Sequence, residues 1–206
     1  MGRVRAAYAK RAAEYIDALG FIEATAEEDR ALIGAWAGDV PASILDVGCG
    51  PGQWTAWLHN QGHDIAGVDP VPSFIDHATA TYPAVPFRVG RAENLRVEDA
   101  SLGGILAWYS LIHTDPAGVP AVLGEFARAL TPRGSLALGF FDGPAVAAFD
   151  HAVTTAYIWP VDVLAQQVEE AGFVVTARHT RTDPGARPHG AIIARRTRPA
   201  RDGGPD

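Results

Sequence analysis

At 206 residues with 48% hydrophobic side chains, the chain has the material for one α/β domain with a sizeable core, and it holds no apolar run long enough to span a membrane. A net charge of −7 argues against a general nucleic-acid binder, because phosphate contacts need a cationic face. The lone cysteine, Cys49, excludes an internal disulfide and, with no apolar signal segment at the N-terminus, predicts a cytoplasmic protein.

In chain order, residues 3 to 37 lack strand patterning. Val4, Tyr8, Tyr15, Ile16 and Leu19 recur at helical spacing until Gly20 breaks the run, and a second helix is expected over about 26 to 37. Strands are expected at Ser43–Val47, Asp64–Val68, Pro86–Val89, Gly104–Tyr109, Ser135–Phe141, Phe173–His179 and Gly190–Arg195. Helices are expected at Gln53–Gln61, Pro72–Tyr82, Val119–Leu130 and Val161–Ala171, with Gly62 and Gly172 where helix C-caps belong. This alternation predicts a seven-stranded, mostly parallel sheet with helices on both faces. The last two strands have only a loop between them, so the final strand should be antiparallel. The expected organisation is a helical lid over 1–40, one domain over 41–195 and a solvated, flexible tail over 196–206. Lys10 is the only lysine, and with the many Ala, Gly and Pro residues this points to a GC-rich bacterial genome.

The most informative stretch is Ile44-Leu45-Asp46-Val47-Gly48-Cys49-Gly50-Pro51-Gly52. A short apolar strand holding one acid runs into three alternate glycines, and a helix-like segment follows at Gln53. Glycine lets the backbone turn sharply and a ligand lie close to it, and the helix start presents unpaired N–H groups. A dinucleotide loop would need glycine at position 53, which is Gln53. The spacing acid-x-Gly-x-Gly-x-Gly resembles the first motif of class I S-adenosylmethionine (SAM) methyltransferases. The resemblance continues through Gly67-Val68-Asp69, Phe87-Arg88-Val89-Gly90-Arg91-Ala92-Glu93, Leu106-Ala107-Trp108-Tyr109-Ser110-Leu111-Ile112-His113, Ala129-Leu130-Thr131-Pro132-Arg133-Gly134-Ser135-Leu136 and Glu170-Ala171-Gly172-Phe173. It covers roughly residues 40 to 195 and is strongest to small, cap-less bacterial members.

The resemblance implies a Rossmann-like fold, SAM as cofactor and S-adenosylhomocysteine as product. Cofactor contacts would come from Asp46, Gly48, Cys49, Gly50 and Gly52, with Trp54 on the following helix. Asp46 would hold the loop and, through water, the ligand's ammonium, and Cys49 would fill space beside it. Asp69, followed by Pro70, would take both ribose hydroxyls, since a carboxylate accepts two hydrogen bonds side by side. Arg91 stands where the family's adenine-binding acid commonly sits, leaving Glu93 or the backbone around Ala92 to meet the adenine. Tyr109, at the end of the fourth strand, would be a further cofactor contact.

Ligands of open α/β sheets bind beyond the carboxyl ends of the parallel strands. That edge collects His113, the connection 142–160 with His151, Tyr157 and Trp159, and the loop 180–188 leading to His189. His113 is the candidate general base, or else a packing histidine. Trp159, Arg187 and His189 are candidate substrate contacts; Arg187 would pair with an anionic group on the substrate or with Asp183 in its own loop. No residue set has zinc spacing. The expected partner is a small molecule, with neither nucleic acid nor membrane. Three other readings stay open: a non-methylating enzyme on a SAM site (an aminopropyl transferase or a cyclase), a non-catalytic SAM-binding module, and a nicotinamide enzyme, which Gln53 weakens.

Overall fold

Strands that are apolar at every residue must be covered on both sides, and the alternation along them sorts the cover. The computed structural model describes residues 2–197. Strand β1 (Ile44–Val47) sends Leu45 and Val47 to one face and Ile44 to the other. Strand β4 (Leu102–Trp108) divides Ile105 and Ala107 from Leu106, and β5 (Leu130–Asp142) divides Leu136 and Leu138 from Ala137. This period of two supplies two cores. The first is closed by α6 (Val119–Ala129) and α7 (Val161–Glu170) through Leu123, Phe126, Leu164 and Val168. The second is closed by α3 (Glu27–Gly38) and α4 (Gln53–Asn60) through Ile33, Trp36, Trp54 and Leu58. The Trp36 indole N–H donates to the Ser135 hydroxyl at 2.8 Å, so α3 is tied to the sheet as well as packed on it.

With β2 (Ile65–Asp69) and β3 (Phe87–Val89) the parallel half runs in the order β3-β2-β1-β4-β5. Beyond β5 the direction changes. Strand β9 (His189–Arg196) lies antiparallel to β5, with Phe141 opposite His189, and β8 (Phe173–Arg181) pairs antiparallel with β9. The antiparallel end expected from the short 182–188 connection is therefore present. Gly62 and Gly172, just beyond α4 and α7, both have φ of 92°, the left-handed geometry that ends a helix.

Several expectations need correction. The sheet has nine strands among the described residues rather than seven. The connection read as 142–160 folds into a hairpin, β6 (Ala147–Asp150) and β7 (Thr155–Trp159). Strand β5 outruns β4: Trp108 pairs Gly139, and past that point β7 takes the vacated edge, pairing Phe141 with Ile158 and Asp142 with Trp159. The first predicted helix is two, α1 (Gly2–Lys10) and α2 (Ala12–Leu19), broken at Arg11, which sits at φ −114°, ψ 16°. The turn 131–134 lies inside β5 as an irregularity between the pairs Leu102–Leu130 and Gly104–Ser135, with Arg133 at φ 70°. Arg196 belongs to β9, so it is not part of the expected tail; residues 198–206 of that tail lie outside the described residues. Among the described residues no helix is long and apolar enough to cross a membrane.

Candidate functional site

One cavity of about 470 Å³ opens at the carboxyl ends of the parallel strands, a size typical of small-molecule sites. Its floor is the loop after β1. Gly48, Gly50 and Gly52 all have positive φ, of 75°, 55° and 91°, each for a different reason. A Cβ on Gly48 would collide with Ser110. One on Gly52 would stand 2.8 Å from the Phe87 ring and 2.9 Å from Ala78. One on Gly50 would meet nothing nearer than Tyr15 at 4.0 Å, so the backbone at Gly50 is left bare toward the cavity.

Two acids frame this loop. Asp69, at the end of β2 and 6% exposed, accepts the Gly50 N–H at 3.0 Å on one carboxylate oxygen and the Val71 N–H at 2.8 Å on the other. Each oxygen keeps lone-pair capacity for a further donor from the cavity. Burial pushes its pKa up to about 6, against the pull of those two N–H groups. Asp46, 2% exposed, accepts the Thr55 hydroxyl at 2.7 Å; burial raises it to about 7, Thr55 opposes the rise and Asp69 adds to it. Two buried acceptors beside them have no partner, Gln53 Oε1 and Ser110 Oγ, and both residues line the cavity. A buried polar atom left bare is costly, so these atoms fit a ligand that brings its own donors.

Asp46 also makes a testable statement about stability. An acid with a folded pKa near 7 and an unfolded value near 3.9 holds its proton more tightly when folded. Stability therefore falls as pH rises from about 4 to about 7, by up to ~1.4 kcal/mol per unit, and the loss is complete above that. His113, His151 and His189, all held below the usual histidine value by burial, tilt the whole-protein curve the other way. The clean readout is the difference between wild type and Asp46→Asn in thermal melts. Wild type should gain on the variant as pH drops from about 7.5 to 5; a constant difference would contradict the burial assignment.

Much of the remaining lining is aromatic. Helices α1 and α2 contribute Tyr8 and Tyr15, whose rings lie 5.6 Å apart and pack on Phe74 of α5 (Pro72–Thr81) at 5.8 and 5.3 Å. Tyr109 and Phe141 pack at 5.1 Å. Tyr109 has φ of 56°, a costly geometry for a bulky residue. It is held by its own N–H to the Gly139 carbonyl at 3.0 Å and by a hydroxyl hydrogen bond with His189 Nδ1. His113 has Nδ1 2.7 Å from the Thr155 carbonyl oxygen, Nε2 2.8 Å from the Tyr8 hydroxyl and its ring 5.2 Å from that of His151. At the rim Arg181 binds Asp29 at 2.7 Å and Asp183 at 2.9 Å, which joins β8 to the start of α3.

Of the residues expected from sequence, Asp46, Gly48, Cys49, Gly50, Trp54, Asp69, Pro70, Ala92, Glu93, Tyr109, His113 and His189 all line this cavity. Gly52 does not, since it is packed underneath against Phe87 and Ala78. The structure does not bring Trp159 to the wall. At 6% exposure it belongs to the core cluster with Phe140 and Leu164, because β7 is seated on the β5 edge over that core. Nor does Arg187 reach the cavity: it is exposed, with its guanidinium 4.0 Å from the Phe149 ring centroid, and the arginine that pairs with Asp183 is Arg181. Sequence reasoning missed Tyr8, Phe74, Asp29 and Arg181 as cavity residues. Their places depend on how separate elements pack, which no local motif records.

Comparison with known proteins agrees with this geometry. Residues 44–134 match the family described as a methyltransferase domain. An uncharacterized methyltransferase of Mycobacterium tuberculosis is 35% identical over 95 residues, 46% of this chain and 38% of the relative. The match thus spans well under half the length of that relative. An uncharacterized methyltransferase of Synechocystis is 26% identical over 145 residues, covering 66% of this chain and 68% of its own. Among solved structures, the 1,6-didemethyltoxoflavin-N1-methyltransferase of Burkholderia thailandensis, crystallised with 1,6-didemethyltoxoflavin and S-adenosylhomocysteine, superposes with a TM-score of 0.81. It is 23% identical, over 96% of this chain and 88% of that one. That likeness speaks for the fold. The family match contains the glycine loop and both of its buried acids.

Proposed function

We propose that the protein transfers the methyl group of SAM to a small-molecule acceptor. The observation that carries this reading is the continuity of one cavity, from the bare Gly50 backbone and the Asp46–Asp69 pair to the ring-lined end at Tyr109 and His113. The residues present fit the cofactor. Asp69 has acceptor capacity for a vicinal diol, Gln53 Oε1 and Ser110 Oγ await donors, and the two buried carboxylates favour a cationic ligand. SAM bound there supplies a methyl group already activated on a sulfonium, so the chain's task is positioning. Glu93 and the backbone at Ala92, at the cavity edge, would meet the adenine. Helices α1 and α2 would serve as a lid, since Tyr8, Tyr15 and Ala12 pack on Phe74 and Val71 beside the cofactor end. A lone buried thiol at Cys49 suits the reducing cytoplasm. The small molecule bound by the Burkholderia relative supports an acceptor of that size.

Calorimetric titration with SAM and with S-adenosylhomocysteine should give micromolar or tighter binding of both. Incubation with methyl-labelled SAM and a panel of phenols, nitrogen heteroaromatics, amines and thiols should then label at least one acceptor. Binding without labelling of any compound would favour a sensing module, and cofactor turnover without a methylated product would favour a non-methylating enzyme. Failure to bind either nucleoside would overturn the reading altogether.

A further inference from the structure

We infer that the acceptor end of the cavity takes a flat aromatic or heteroaromatic ring bearing an O–H or N–H nucleophile, and that this group hands its proton to Tyr8 while Tyr8 hands its own to His113. The inference rests on the methyl-transfer reading above and specifies its acceptor.

The wiring of His113 comes first. The Thr155 carbonyl oxygen 2.7 Å from Nδ1 can only accept, so Nδ1 carries the hydrogen. Nε2 then holds the lone pair, and the Tyr8 hydroxyl donates to it at 2.8 Å. The basic nitrogen is thus covered by Tyr8, and a proton from the acceptor reaches it only through the Tyr8 oxygen. That oxygen keeps an acceptor lone pair, and Tyr8 lines the cavity.

The surroundings keep this pair neutral at rest. Burial holds His113 below the usual imidazole value, and burial together with Tyr15 and Asp69 holds the Tyr8 phenol well above the usual tyrosine value. The nearest ionisable ring to His113 is His151, itself lowered by burial, by His113 and by Arg187. Once His113 gains a proton, the Thr155 carbonyl supports the cation. The pair is therefore an uncharged sink for one proton.

The walls set the shape of the acceptor. Tyr8, Tyr109 and Phe141 line the cavity with His113 and His151, offering ring faces and edges to a planar guest. Arg181, the arginine at the rim, is already taken by two carboxylates, so it offers little to an anionic substituent. In the reaction, the nucleophile's lone pair forms the bond to the methyl carbon. The carbon–sulfur bond breaks with its electrons left on sulfur. The nucleophile's proton goes to Tyr8, the Tyr8 proton to Nε2, and the imidazolium returns its proton to solvent after the product leaves.

The test uses 4-nitrophenol, whose ionised form absorbs in the visible, with nitrobenzene as the ring without the hydroxyl, both added to protein saturated with S-adenosylhomocysteine. Both rings should bind, and the ionisation midpoint of bound 4-nitrophenol should move to lower pH than in solution. Tyr8→Phe should keep ring binding and lose the shift. His113→Gln should lose it too, whereas a purely structural His113 would lower only the melting temperature and leave the shift. Binding of neither ring overturns the acceptor class, and binding with unshifted ionisation in wild type overturns the proton route. Absence of S-adenosylhomocysteine binding is a different failure, that of the methyl-transfer reading itself.

Discussion

Gly50→Val is expected to raise the dissociation constant for S-adenosylhomocysteine by more than ~100-fold, about 2.7 kcal/mol, in a protein that still melts cooperatively. Gly50 lies at φ 55°, a region where a β-branched residue is a genuine outlier and where an L side chain costs roughly 1–2 kcal/mol. If the backbone holds its course, the valine methyls fill the space that the bare glycine leaves open. If it flips instead, the Gly50 N–H leaves the Asp69 carboxylate, and that acid loses one of the two bonds orienting it. Both routes damage the cradle, and neither touches the core, since a Cβ at Gly50 finds its nearest neighbour at 4.0 Å. Calorimetry beside a thermal melt separates the two effects. Micromolar binding by a folded variant would show that the ligand does not approach this backbone.

The second large effect is expected at Asp69. Replacement by alanine removes the group proposed to take two hydroxyls and also strands the N–H groups of Gly50 and Val71. Hydrogen bonds to a charged acceptor are worth about 1.5–3 kcal/mol, so affinity for either nucleoside should fall by roughly 10- to 150-fold. Stability should change less, because a carboxyl that burial raises to about 6 is itself costly to keep ionised at neutral pH. Asp69→Asn retains one acceptor oxygen but sets its NH2 against one of the two backbone N–H groups, so it should fall between alanine and wild type. Unchanged affinity in both variants would take Asp69 out of the ribose-binding role.

The half of the cavity around the glycine loop was legible because it is written in consecutive residues. The acid, the three glycines and the helix start follow one another from Asp46 to Gln53, and Asp69 comes one helix and one strand later. Backbone conformation demands those residue types wherever the loop occurs. The parallel strands were equally plain, since burial on both faces leaves continuous apolar runs. The lining around Tyr8 and His113 is assembled from segments far apart in sequence. Tyr8 and His113 meet only because α1 crosses the mouth of the sheet, and Arg181 reaches Asp29 across the rim. Trp159 was misplaced for a related reason. Strand order put it at the right end of the sheet, but its direction was set by where β7 docked, at an edge that exists only because β5 outruns β4.

The β6–β7 hairpin also bears on inheritance. It fills the stretch between the end of β5 at Asp142 and the start of α7 at Val161, whose N–H donates to the Asp142 carboxylate at 3.1 Å. Residues 143–160 are therefore a closed excursion, entering and leaving at one point, and they lie outside the stretch matched to the family, which ends at residue 134. A lineage could lengthen, shorten or rewrite this excursion while the glycine loop and five parallel strands stayed as they are. Two descendants of one ancestor could keep the same cofactor and diverge in what they methylate. Kinship over residues 44–134 thus carries the glycine loop, Tyr109 and His113, but not the hairpin that brings His151 and the Thr155 carbonyl to them.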